Sequence, residues 1–228
     1  MAKECDSERE DVFDLPPPER LAVMPRPRWK RAMDVFGPCV ALVLFSPIML
    51  MAAVAVRFTS RGPVLFKQRR AGLGGRPFTL YKFRTMVEGA EHRRDELMHH
   101  NEAAGAVFKI KDDPRVTPVG RVLRKFSIDE MPQLWNVLKG EMSLVGPRPL
   151  PLNEIPCGAG LCREEGHLCR LSVHPGLTCY WQVMGRSNLD LERWIELDER
   201  YVRERSFRTD VGILLRTFPA VITGRGAH

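Results

Sequence analysis

At 228 residues, with 44% apolar and 28% charged side chains, the chain has the composition of a globular protein able to bury a core, and the length of one domain plus appendages. Thirty-five Lys and Arg against 28 Asp and Glu leave a net charge of +7, which points to anionic partners: phosphates, nucleic acid or an acidic lipid surface. The six cysteines lack the paired C-x-x-C spacing of a zinc module, so Cys157, Cys162 and Cys169, near His167, read as free thiols of a reducing compartment.

Residues 1–28 open with MAKECDSEREDVFDLPPPER, which is acidic, contains prolines and has no apolar h-region. It reads as a disordered tail and no signal peptide. Residues 29–60 are a membrane segment. From Met33 to Val56 the sequence is apolar apart from Asp34 and Ser46, close to the ~20 residues that span hydrocarbon. Arg26, Arg28, Lys30 and Arg31 lie before it and Arg57, Arg61, Lys67 and Arg69 after it, so neither flank wins a positive-inside comparison. A helix broken at Ser46–Pro47 would return both flanks to one face. Pro47 removes a backbone donor, and the Ser46 hydroxyl can satisfy a carbonyl freed there. Each arm would then be roughly 15 to 20 Å long. A kinked spanning helix is the alternative.

Residues 61–228 form the remaining domain. Val64–Phe66 and Phe78–Tyr81 are β-prone runs around Gly72-Leu73-Gly74-Gly75, a basic hairpin whose glycines make a turn and no nucleotide fingerprint. Residues 88–102 are charged and helical in pattern, with His92, His99 and His100 solvated. Next comes RVLRKFSIDEMPQLWNVLKGEMSLVGPRPLP. Ser127 and Glu130 have the spacing of a capping box, and Met131, Leu134 and Leu138 recur at helical spacing until Gly140. Asp129 and Glu130 would then lie on a first helical turn, where acids commonly just complement the helix dipole. Their company suggests more: Arg121, Arg124 and Lys125 precede them, and Arg148 follows between two prolines. A carboxylate so placed keeps a low pKa and is available as a nucleophile or a Mg²⁺ ligand, with the cations gripping phosphate. Further on, Ser187 or Asn188 can cap LDLERWIELDERYVRERS, whose Leu191, Trp194, Ile195, Tyr201 and Val202 make an apolar stripe. TDVGILLRTFPAVI reads as a helix at the membrane interface.

From Trp29 to the C-terminus the chain resembles the bacterial sugar transferases, the monotopic polyprenyl-phosphate hexose-1-phosphate transferases that begin the assembly of cell-surface glycans. The resemblance rests on WKRAMDVF, FSP, GPVLFKQRRAG, FTLYKFRTM, DPRVTPVGRVLRKFSIDEMPQLWNVLKGEMSLVGPRP, HPGLTCYWQVMGRSNLD and LDERYV, in that order. It implies a helix-dominated α+β protein: a re-entrant helix-break-helix, a small β-hairpin and a cytosolic catalytic domain with amphipathic interfacial helices. This would be the family's minimal catalytic unit, on the cytoplasmic face of the bacterial inner membrane. It also implies a reaction in which Asp129 attacks the sugar-proximal phosphorus of a UDP-sugar and expels UMP, and polyprenyl phosphate then takes the sugar phosphate. Glu130 would bind Mg²⁺ with Asp129 or assist the acceptor. Lys82, Arg84, Arg124 and Arg148 are the expected phosphate or nucleotide contacts, and Asp198 of LDERYV the carboxylate expected to bind substrate or order the site. For Lys82 and Arg84 the rival role is a basic face against anionic lipid. The sequence PLNEIPCGAGLCREEGHLC departs from the charged helical connector expected there. A catalytically silent membrane scaffold of the same fold is the other reading; the membrane run argues against a nucleic-acid partner. The sequence leaves monomer and homodimer open and does not select the sugar.

Overall fold

The computed structural model describes residues 23–90, 93, 97, 110, 113–152, 169–184 and 191–223. The acidic tail through residue 22, His92, His99 and His100, the group Cys157, Cys162 and His167, and the stretch 185–190 with its expected helix cap lie outside the described residues. Helices dominate, joined by two small sheets.

Helix α1 runs Arg28–Thr59 and is long and apolar enough, by length and composition, to cross a membrane. It stays helical through Ser46 and Pro47, where two separate arms were expected. The expected local chemistry is present: Ser46 Oγ donates to the Val43 carbonyl at 2.8 Å. That carbonyl is the one left without a partner because residue 47 has no N–H. Most of the middle of α1 faces outward, with Val43 77% and Leu44 66% exposed. Such a surface suits hydrocarbon.

Strands β1 (Leu65–Ala71) and β2 (Pro77–Phe83) pair antiparallel from Leu65 opposite Phe83 to Ala71 opposite Pro77, around a 3₁₀ turn at Leu73–Gly75. Gly74 (φ 63°) and Gly75 (φ 75°) supply the left-handed backbone this turn needs. Because strand side chains alternate, Phe78, Leu80 and Lys82 share one face, and their partners Arg70, Gln68 and Phe66 share it too. That face packs inward at Phe78 and Leu80.

Helix α2 (Pro118–Lys125) starts at the N-cap Thr117, whose hydroxyl accepts from Gly120 N–H at 2.9 Å. Helix α3 (Gln133–Lys139) ends at Gly140 (φ 87°), the stop expected from sequence. Strands β3 (Ser143–Val145) and β4 (Gly176–Thr178) pair in parallel. Helices α4 (Tyr180–Met184), α5 (Leu191–Glu204) and α6 (Phe207–Thr223) complete the domain. The main core gathers Phe78, Leu80, Val137, Val145, Trp181, Leu197, Tyr201 and Ile213 from six of these elements, with Met142 from the turn before β3.

The first turns of α1 are built into this core by charge. Lys30, 2% exposed, donates to the Val145 carbonyl and the Tyr201 hydroxyl, each at 2.9 Å, and pairs with the fully buried Asp210 of α6. Tyr201 in turn donates to Asp210 at 2.9 Å. One turn on, Asp34 pairs with Arg26 and accepts from Ser143 Oγ at 2.9 Å and Leu144 N–H at 2.7 Å. Removing one member of a buried pair strands the other, which typically costs about 3–5 kcal/mol. Asp210→Ala is therefore expected to lower the thermal unfolding midpoint of the detergent-solubilised chain sharply, and Lys30→Met combined with Asp210→Leu to recover most of that loss.

Candidate active site

The two acids do not stand on the helix the sequence suggested. Ser127 adopts a left-handed conformation (φ 54°), the only non-glycine residue to do so among those described, and its side chain caps nothing. Asp129 and Glu130 occupy a separate 3₁₀ turn, Ile128–Glu130, and α3 begins only at Gln133. Pro132 is the reason. It has no N–H to offer the Ile128 carbonyl, so the ladder tightens and Met131 N–H takes that carbonyl at 3.2 Å. The expected capping box is thus replaced by a strained entry into a short turn.

Lys82 from β2, Arg124 from the end of α2 and Arg148 from the loop after β3 all act on the buried Asp129. Burial, then the neighbouring Glu130 charge, raises the Asp129 carboxyl to a pKa of about 6, against the pull of the three cations. The low value expected of both acids holds for Glu130 alone. Burial would raise Glu130 as well, but the charge and hydrogen bond of Arg148 more than reverse it and hold the carboxyl below its usual range. Lys82 is pushed down to about 8, chiefly by burial and next by the Arg70 guanidinium. The Cys179 thiol is pushed up by burial and stays protonated, so it is no rival nucleophile.

The remaining expected contacts divide. Arg124 Nε donates to Thr85 Oγ1 at 2.9 Å, which fixes it beside the acids. Arg84 does not join them. It is buried one residue past β2 and donates to Ser60 O at 2.7 Å and Ser60 Oγ at 2.9 Å, tying the end of α1 to the hairpin. Those bonds set its guanidinium at the C-terminus of α1, where it meets the negative end of the helix dipole. Asp198 is also displaced from direct contact. It is 1% exposed and lies 2.8 Å from Arg170 Nη2, which donates to the Arg148 carbonyl at 2.9 Å.

Arg70, Thr85, Arg170 and Trp181 are site residues that the sequence reading missed. Arg70 shares the Lys82 face of the hairpin and donates to Pro149 O at 2.7 Å; strand alternation pointed to it. Trp181 lies under the Arg148 guanidinium, 5.8 Å from ring centroid to carbon, and is backed by Trp194 stacked at 4.5 Å. Nothing local in the sequence marks Arg170.

A groove of about 380 Å³ opens beside the acids. Phe45 of α1, Phe126, Met131, Leu134 and Phe218 of α6 line it, and Glu130 lies in its wall. The described residues contain no group of three or more His, Cys, Asp or Glu able to hold a metal ion. Two adjacent carboxylates nonetheless suit Mg²⁺, which commonly takes one or two carboxylates and completes its shell with water and substrate phosphates.

An acid pair ringed by fixed cations thus stands at the edge of an apolar groove that Phe45 of the long apolar helix α1 helps to line. The chain belongs to the bacterial sugar transferase family, whose model matches residues 26–224. Its relatives include the exopolysaccharide production protein ExoY of Rhizobium meliloti, 40% identical over 87% of this chain and 88% of ExoY. The galactosyl transferase CpsE of Streptococcus agalactiae is 40% identical, and the undecaprenyl-phosphate galactose phosphotransferase of Salmonella typhimurium 38% identical, each over 87% of this chain. The chain spans only 43% of CpsE and 41% of the Salmonella protein.

The division between Arg84 and Arg148 is measurable. Arg84→Met is expected to lose about 1–3 kcal/mol of stability without moving the Glu130 titration followed by NMR. Arg148→Met is expected to raise the Glu130 pKa, because it removes the charge and hydrogen bond that hold it down.

Proposed function

We propose that this protein transfers a sugar 1-phosphate from a UDP-sugar to polyprenyl phosphate, undecaprenyl phosphate in a bacterial membrane, and releases UMP. The observation that carries the reading is the meeting of two environments at one acid pair. The cation cluster of Lys82, Arg124 and Arg148 suits a soluble diphosphate, and the apolar groove at Glu130 suits a lipid chain. The relatives' names support the same chemistry: one is an undecaprenyl-phosphate galactose phosphotransferase, another a UDP-N-acetylgalactosamine-undecaprenyl-phosphate N-acetylgalactosaminephosphotransferase.

In the first step a carboxylate oxygen of Asp129 bonds to the sugar-bearing phosphorus. The bond from that phosphorus to the bridging oxygen breaks, and UMP departs with the oxygen and the electron pair. In the second step an oxygen of the lipid phosphate bonds to the same phosphorus and displaces Asp129, leaving a polyprenyl-diphosphate-sugar. With a pKa near 6, Asp129 is largely ionised at neutral pH and ready to attack without a general base. Lys82, Arg124 and Arg148 stabilise charge on the nonbridging oxygens, and Arg148 can grip two of them at once. Asp129 and Glu130 would hold Mg²⁺, which when bound supplies further neutralisation of the phosphate oxygens. Arg148 pairs with Glu130, which keeps its guanidinium at the acid pair where the donor phosphates would lie.

We further place the catalytic face on the cytoplasmic side of the inner membrane, with α1 entering and returning by a bend at Ser46–Pro47. Its exposed apolar middle and its basic residues at both ends support that arrangement. A tag ahead of Trp29 should then be labelled only from the cytoplasm; periplasmic labelling would mean that α1 spans.

Incubated with a panel of UDP-sugars and undecaprenyl phosphate, the wild-type chain should release UMP from one or a few donors. Asp129→Asn should lose about a thousandfold or more in rate and form no covalent sugar-phosphate adduct by intact mass. Full activity in the Asn variant would sink the nucleophile assignment.

A further inference from the structure

The segment from Pro147 to Leu150 is held almost entirely by its carbonyls. Pro147 O accepts from Gly176 N–H at 2.8 Å and Leu150 O from Ala71 N–H at 3.1 Å. Between them, Arg148 O accepts from Arg170 Nη2 at 2.9 Å and Pro149 O from Arg70 Nη1 at 2.7 Å. Both prolines lack an N–H, so carbonyls are the handles such a segment offers. Two guanidiniums from different elements therefore grip consecutive peptide groups on either side of the Pro149 α-carbon.

The two grips differ in what stands behind them. Arg70 is itself held by Gln68 Oε1, 2.7 Å from its Nη2, on the same strand. Arg170 is 6% exposed and faces the buried carboxylate of Asp198 at 2.8 Å. A planar guanidinium can serve a carboxylate and a carbonyl together, whereas an ammonium is a single point charge. Helix α5 also carries Trp194, which backs Trp181 beneath the Arg148 guanidinium. The main chain and the side chain of Arg148 are thus supported from one helix by separate routes.

We propose that Arg170, locked by Asp198, is a positioning residue for Arg148. By holding the Arg148 carbonyl it sets the direction from which that guanidinium meets Glu130 and the donor phosphate. The inference rests on the phosphate role given to Arg148 above. Arg70 restrains the next peptide and does not replace this grip, because it leaves the Arg148 carbonyl free to rotate.

A double-mutant cycle tests the idea in the full chain, solubilised in detergent, with kcat/KM for UMP release as the readout. Arg148→Lys and Arg170→Lys are each expected to lose about tenfold or more, and the double variant to fall no further than Arg148→Lys alone. A purely structural role for Arg170 would make the two losses multiply, and that result, or wild-type activity in Arg170→Lys, overturns the inference while leaving the proposed function standing. An Arg148→Lys chain as active as wild type overturns the phosphate role and the inference with it. If Arg170→Lys does not fold, Asp198→Asn takes its place in the cycle; it keeps the shape and removes the charge that locks Arg170. The same non-additivity is expected, and multiplying losses again overturn the inference.

Discussion

The buried charges at the start of α1 are what the rest of the structure depends on. A membrane helix joined to a catalytic domain by a flexible linker would leave the active site at an undefined depth. Here Lys30 and Asp34 project from consecutive turns into the core, where Asp210, Tyr201, Val145 and the backbone of β3 receive them. Each charge is costly to desolvate and is tolerated only with its partners in place. The geometry of helix against domain is therefore specified more sharply than apolar packing alone would specify it. The strand fixed in this way, β3, leads directly into Pro147-Arg148-Pro149.

The site illustrates how burial divides the work between two neighbouring carboxylates. They are adjacent in sequence, yet Arg148 bonds Glu130 directly and acts on Asp129 only through space. The ion-paired acid titrates low and its neighbour titrates high, so the pair holds less than two full negative charges over part of the acidic range. Such an asymmetry suits a site where one oxygen must form a bond while the other carboxylate remains a fixed charge.

Much of this was legible in the sequence, and the failures have physical causes. The length of α1, the hairpin and the helix stop at Gly140 follow from composition, alternation and a glycine, which are local signals. The acid pair was legible as a pair, but its conformation was not: the capping-box spacing at Ser127 and Glu130 was overridden by Pro132, which breaks the ladder the box would have started. Arg84, two residues on from Lys82, looks equivalent to it on paper. Past the end of β2 the backbone turns it toward Ser60. Lys30 and Asp34 read as ordinary charges beside the apolar run, since Val145 and Asp210, which receive Lys30, and Ser143 and Leu144, which bond Asp34, lie more than a hundred residues away in the chain. Arg170 was invisible because only its contacts with the Arg148 carbonyl and Asp198 define it.

The bond from Ser46 to the Val43 carbonyl has a wider meaning for life in a bilayer. In hydrocarbon an exposed peptide oxygen has no water to turn to, and a proline in a membrane helix usually relies on neighbouring helices or trapped water to repair the gap it makes. Here the repair is carried by the residue immediately before the proline. A helix that mends its own defect can bend where lipid surrounds it on every side. The one bond that the proline removes is thus replaced within the same turn, with no second helix needed to supply it.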